Sequence, residues 1–175
     1  MSYETLFQRY GSHPRLTGTG ADQEPTKRKQ KGIDTMKPTK HATTNFNRIS
    51  PMINGMSAEN DHRRFTAGEG FMPLVIEFNH WYDYKGRPVY SMTHYYEQNG
   101  DLMRDPDMEL AIDFEAGTVE PLTFRQDGFP QLCQQVYKYQ DDGKLTYSPS
   151  LRTSLDDFLW HWLQNIEAQE YALQR

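Results

Sequence analysis

From residue 108 to 114 the larger apolar side chains recur at every second position, Met108, Leu110, Ile112 and Phe114 against Glu109, Ala111 and Asp113. That is the period of a strand with one face on a core. Just upstream, residues 89–96 are rich in Tyr, Val and Thr, which suit a pleated, half-buried surface. Between the two runs stands Asn99-Gly100, a pair that tolerates the positive φ needed at both centres of a type I′ turn. The spacing therefore predicts a hairpin with Gln98 opposite Asp101, Tyr96 opposite Met103, Tyr95 opposite Arg104 and His94 opposite Asp105. Alternation then places His94, Tyr96, Met103 and Asp105 on one face. Asp105-Pro106 interrupts the ladder, because proline has no N–H to donate, and predicts an edge position or a bulge.

The pattern extends to both sides. Residues 72–81 have the apolar density of a buried strand, and residues 84–87 read as a turn into the hairpin. Residues 115–118 turn the chain into a further strand over 119–125. Residues 132–139 and 144–147, separated by Asp141-Asp142-Gly143, form a second hairpin or a short helix after Pro130. Near the end, Leu155, Phe158, Leu159, Trp162, Leu163 and Ile166 recur at helical spacing behind Ser154, an N-cap residue with Asp157 three places on. This predicts a C-terminal amphipathic helix of roughly 18 residues packed on an antiparallel meander of about four or more strands, an α+β fold.

The first 70 residues look different. Tyr3, Leu6, Phe7 and Tyr10 fit one face of a short helix, but residues 11–70 are dominated by Gly, Pro, Thr, Lys and Asn, with Phe46, Ile49, Met52 and Ile53 scattered among them. A largely irregular tail is expected over 1–70 and a folded domain over 71–175. The charges divide at the same place. Residues 1–70 hold 11 Lys and Arg against 7 Asp and Glu, net +4, while residues 71–175 hold 8 against 17, net −9. A hydrophobic fraction of 36% and a mean hydropathy of −0.88 agree with a chain of which only part builds a core.

Several chemistries are thereby excluded or narrowed. The lone Cys133 rules out an internal disulfide and multi-cysteine zinc sites; with no electropositive neighbour but Lys138 it reads as a small buried apolar residue. There is no signal-peptide core and no apolar run near the roughly 20 residues of a membrane span, so a cytoplasmic protein is expected. Glycine-rich phosphate loops and nucleophile elbows are absent, and no cofactor or bound metal is expected. Lys27, Arg28, Lys29 and Lys31 are four cations in five positions. They suit either nucleic-acid phosphates or plain solvation of a tail, since no aromatic is interleaved with them.

Two surfaces carry candidate function. Tyr95, Glu97, Asp101, Arg104, Asp105, Asp107 and Glu109 make an acidic, tyrosine-bearing hairpin suited to a protein interface. Alternatively, His94, Asp105 and Asp107 hold a divalent metal for phosphodiester hydrolysis. Against that second reading, residues 97–120 contain no lysine to complete a nuclease core, and the acids lack the offsets of a calcium loop. The aromatics Trp81, Tyr82, Tyr84, Tyr90, Tyr95 and Tyr96 read as core packing and interface more than as a base-stacking platform, because acids flank them.

The segments H-Y-Y-E-Q-N-G-D-L-M-R-D-P-D-M from His94, Q-V-Y-K-Y from Gln135 and S-L-D-D-F-L-W-H-W-L-Q-N-I from Ser154 resemble a bacterial family known only as a domain of unknown function, over about residues 70–170. That family is carried largely on plasmids and other mobile elements. The resemblance brings no catalytic residues. It implies a setting in which small acidic proteins counter host defences or regulate transfer. The expected function is thus a non-enzymatic interaction protein of a mobile element, whose acidic domain binds or inhibits a nucleic-acid-handling host protein, for example a defence nuclease such as a CRISPR effector. The metal-dependent nucleic-acid enzyme is the alternative.

Overall fold

A computed structural model describes residues 33, 36–128 and 130–174. The basic cluster Lys27, Arg28, Lys29 and Lys31 and the short helix expected over 3–10 lie outside the described residues. Twelve elements follow in chain order: α1 (Ala42–Ile53), β1 (His62–Thr66), β2 (Leu74–Tyr82), β3 (Pro88–Gln98), β4 (Asp101–Asp113), β5 (Thr118–Pro121), β6 (Thr123–Gln126), β7 (Leu132–Gln135), β8 (Tyr137–Tyr139), β9 (Leu145–Tyr147), α2 (Pro149–Ala168) and β10 (Ala172–Leu173). One antiparallel sheet of eight strands runs β10-β1-β2-β3-β4-β6-β7, with β5 also paired to β4, and β8-β9 is a separate hairpin. The architecture is α+β, as the periodicities predict.

The central hairpin forms where Asn99 and Gly100 both take positive φ, 55° and 84°, and the ladder counts outward as expected through Gln98↔Asp101, Tyr96↔Met103 and Tyr95↔Arg104. It then breaks. The next pair is Thr93↔Asp107, so His94 alone faces the two residues Asp105 and Pro106 in a β-bulge. His94 is therefore not laddered to Asp105.

Helix α1 and strand β1 correct the expected boundary at residue 71, since the folded body begins well before it. Ala42, Asn45, Ile49 and Ile53 are buried at spacings of three and four, one face of a helix. Pro51 is tolerated in the last turn. Ile49 and Ile53 join Leu74, Ile76, Met92, Met108, Leu110, Leu159 and Leu163 in a single core. Helix α1 provides no side-chain cap of its own. Its N-terminus is capped from α2 instead: the fully buried Asp156 accepts from the His41 backbone N–H at 2.8 Å and from Asn45 Nδ2 at 3.3 Å. A buried carboxylate there also meets the positive end of the helix dipole.

Helix α2 starts six residues earlier than the spacing suggests. Ser148 is the N-cap, its hydroxyl accepting from the Leu151 N–H, and Pro149 occupies the first helical position, where the missing N–H costs nothing. Ser154 lies inside the helix. The predicted stripe is buried through Leu155, Leu159, Trp162, Leu163 and Ile166, with Phe158 at its margin against Phe124.

Smaller departures have local causes. The run 119–125 divides at Leu122 into β5 and β6, and residues 132–147 resolve as strands around Gly143, whose φ is 76°. Ala111 is fully buried on the side expected to face out, and Phe114 is exposed beyond the end of β4, edge-on to Phe46. Trp81 and Tyr82 emerge from the core after His80 takes φ 57° and shifts the β2/β3 register. Cys133 is exposed on the outermost strand β7 rather than buried.

Candidate functional site: the polar face of the sheet

Because successive strand residues point to opposite faces, the register sorts the side chains of β2, β3, β4 and β6. Leu74, Ile76, Tyr90, Met92, His94, Met108, Leu110 and Phe124 share the face packed by both helices. Glu77, Asn79, Ser91, Thr93, Tyr95, Arg104, Asp107, Glu109, Thr123 and Arg125 share the other. That second face is polar and half-buried, and its side chains are bonded to one another.

At its centre Thr93 Oγ1 donates to Asp107 Oδ1 at 2.9 Å, and Arg104 Nη1 reaches Asp107 Oδ2 at 3.5 Å. Arg104 Nε donates to Asp127 Oδ2 at 2.8 Å while Arg125 Nε donates to Asp127 Oδ1 at 2.6 Å, so one carboxylate clamps two guanidinium groups. Toward β2, Ser91 Oγ donates to Asn79 Oδ1, Asn79 Nδ2 to Glu109 Oε1, and the Thr123 hydroxyl to Glu109 Oε2.

The electrostatics follow from this packing. Burial raises Asp107 above the usual carboxylate range, and the Thr93 hydroxyl and the Arg104 charge offset it only in part. Burial likewise raises Glu77, with His62 opposing and Asp107 reinforcing the rise. The Tyr95 hydroxyl is pushed up to about 12, by burial first and then by the charges of Glu77 and Asp107. Asp127 goes the other way: burial works to raise it, but the bonds from Arg104 and Arg125 outweigh that and hold it low.

Of the residues expected to form an interface, Tyr95, Arg104, Asp107 and Glu109 come together here. Glu97 lies on the same face, exposed toward the hairpin tip, and Asp101 is exposed at the tip itself. Asp105 sits at the bulge on the side of His94. The alternative metal set is thereby taken apart. Asp107 points to the face opposite His94, and His94 is a core residue, 7% exposed, held between Trp162 and Tyr171 at ring distances of 5.4 and 5.5 Å. Its Nδ1 bonds the Pro73 carbonyl at 3.2 Å, and burial lowers its pKa. His94, Asp105 and Asp107 do not converge on one point.

Sequence reasoning missed Glu77, Asn79, Thr93, Arg125 and Asp127 as members of this face. The alternation Glu77, Asn79 within the apolar run 72–81 is the signal that one side of that strand is polar.

A second network lies at the core's edge. Glu120, 4% exposed, accepts from Arg87 Nη2 at 2.8 Å, from Arg152 Nε and from the Tyr137 hydroxyl, while Arg87 also pairs with Asp83 at 2.6 Å. Burial alone raises Glu120, but those donors and charges bring it below its ordinary value. The five residues tie the β2–β3 turn, β5, β8 and α2 together.

No helix of the described residues is long and apolar enough to cross a membrane. No curated protein and no solved structure matches the chain. A family profile does, described as a domain of unknown function, DUF6908, and it spans residues 44–172, taking in most of α1, strands β1 to β9, α2 and the first residue of β10. The chain belongs to that DUF6908 family.

Proposed function

We propose that this protein is a non-enzymatic interaction protein whose polar sheet face binds another protein. The observation that carries the reading is the ordered surface around Tyr95, Asp107 and Glu109, in which acids outnumber cations and the side chains are already fixed by mutual bonds. A fixed surface loses little conformational freedom on binding, and tyrosine contributes contact area at small entropic cost. A net charge of −9 over residues 71–175 favours a partner with a basic groove. Proteins that handle nucleic acid carry such grooves, and a host defence nuclease, including a CRISPR effector, is the specific candidate. The mobile-element setting comes from the resemblance of its motifs.

The test is capture of purified candidate nucleases on the immobilised full chain in steps of rising salt, beside a variant carrying Glu97→Lys and Asp101→Lys. Both positions are exposed, so the fold should be kept. Capture that weakens with salt and is lost in the variant supports the reading. Tight, magnesium-stimulated DNA binding or cleavage by the chain itself would overturn it.

A further inference from the structure

On the helix side of the molecule, away from the polar face, His41, Asp156 and Asp157 each present a ligand atom, and the three atoms lie within 4.8 Å of one another. We propose that they form a binding site for a first-row divalent cation, clipping the start of α1 to α2. His41 Nε2 stands 3.2 Å from Asp157 Oδ1. Two ligands each about 2.1 Å from a tetrahedral zinc stand about 3.4 Å apart, so this pair is nearly at ligand spacing already. The imidazole is steered by stacking on Trp160, centroid to centroid 4.8 Å. Asp156 is fixed by the cap bonds it accepts from the His41 N–H and Asn45 Nδ2; each carboxylate oxygen has two acceptor positions, so those bonds leave it able to ligate.

A separate observation points to something bound. Asn45 is fully buried, yet its Oδ1 has no hydrogen-bond partner. The same carboxamide is tied through Nδ2 to Asp156, so the orphan oxygen belongs to the group that contacts this carboxylate. A buried acceptor left without a partner is costly. A water held by a cation beside Asp156 is one partner that would satisfy it. One imidazole with two carboxylates suits zinc or its first-row neighbours better than calcium, which takes six to eight oxygens. Asp157 is half exposed, which gives the ion a way in and leaves solvent at its open position.

Zinc alone is the probe, titrated calorimetrically into the metal-free full chain at neutral pH, with melting curves in parallel. The expected result is one equivalent bound and a higher Tm, because binding only the folded chain stabilises it. Asp157→Asn should weaken that binding by roughly tenfold or more while its metal-free melt stays wild type, since the side chain is at the surface. The exposed group His62, Asp61 and His80 is the rival zinc binder; the double variant His62→Ala, His80→Ala should bind as wild type. No binding, or binding kept in Asp157→Asn and lost in that double variant, overturns the proposal.

Discussion

Arg87 and Glu120 are joined by a 2.8 Å ion pair in which neither side chain is more than a tenth exposed. Their charges offset one another in a place that solvates neither, with Asp83, Arg152 and Tyr137 filling the remaining positions. Removing Glu120 leaves Arg152 without its carboxylate and Arg87 with Asp83 alone, and a buried charge that loses its partner costs about 3–5 kcal/mol. Glu120→Ala is therefore expected to lower unfolding free energy by that order in urea titrations. A loss under about 1 kcal/mol would mean that the site admits water.

Acid response separates the two carboxylate environments. Glu120 is lower in the folded state than in the unfolded chain, so its contribution is full above the unfolded value, about 4.3, and is lost as pH falls through the folded one. Asp107 has the opposite sign. Its folded value is raised, so the stability that it contributes is full below the unfolded value and declines as pH rises through the folded one. Melting temperatures across the carboxylate range should fall less on acidification in Glu120→Gln than in wild type. They should fall more in Asp107→Asn, where the opposing term is gone.

The cap of α2 gives a direct comparison. Ser148→Ala removes the acceptor for the Leu151 N–H and should cost about 1 kcal/mol. Ser154→Ala, exposed within the helix, should change stability by no more than about 0.5 kcal/mol. Thermal melts of the two variants distinguish a helix beginning at Pro149 from one beginning after Ser154.

The place of α1 and β1 in the core makes a fourth check. A chain beginning at Phe71 lacks both, and the face of Leu74, Ile76 and Leu163 loses Ile49 and Ile53. It should show no cooperative melt. Ile49→Ala, at a site 1% exposed, should cost about 2–5 kcal/mol.

What the sequence disclosed was what short-range geometry decides. Asn99 and Gly100 alone set the register out to Tyr95 and Arg104, because a two-residue turn leaves the ladder no choice. Proline at 106 marked the bulge, yet one inserted residue was enough to send Asp107 to the other face from His94 and dissolve the metal set. Helix α1 went unread because Asn, Thr and Pro dilute its stripe and its cap is supplied by Asp156, 115 residues away. Asp83 and Arg87 meet within one turn, four residues apart, but Glu120, Tyr137 and Arg152 come from three distant segments that only the folded chain brings to them. Likewise, Asp107 and Glu109 read in the sequence as members of an acidic hairpin suited to an interface, whereas both are bonded within the sheet face and charge reversal there would disturb the fold.

The pairing of β1 with β10, Phe65↔Leu173 and Thr66↔Ala172, bears on how the chain is made. A ribosome adding about 5–20 residues per second releases β1 several seconds before it reaches β10. During that interval one margin of the nascent sheet is an open ladder, and α1 waits for the acid that caps it. Arg63 and Arg64 occupy that strand, side by side, and cationic side chains discourage unwanted strand addition. Slowing translation late in the message should therefore lengthen the window for self-association, while a pause before residue 62 should leave it untouched.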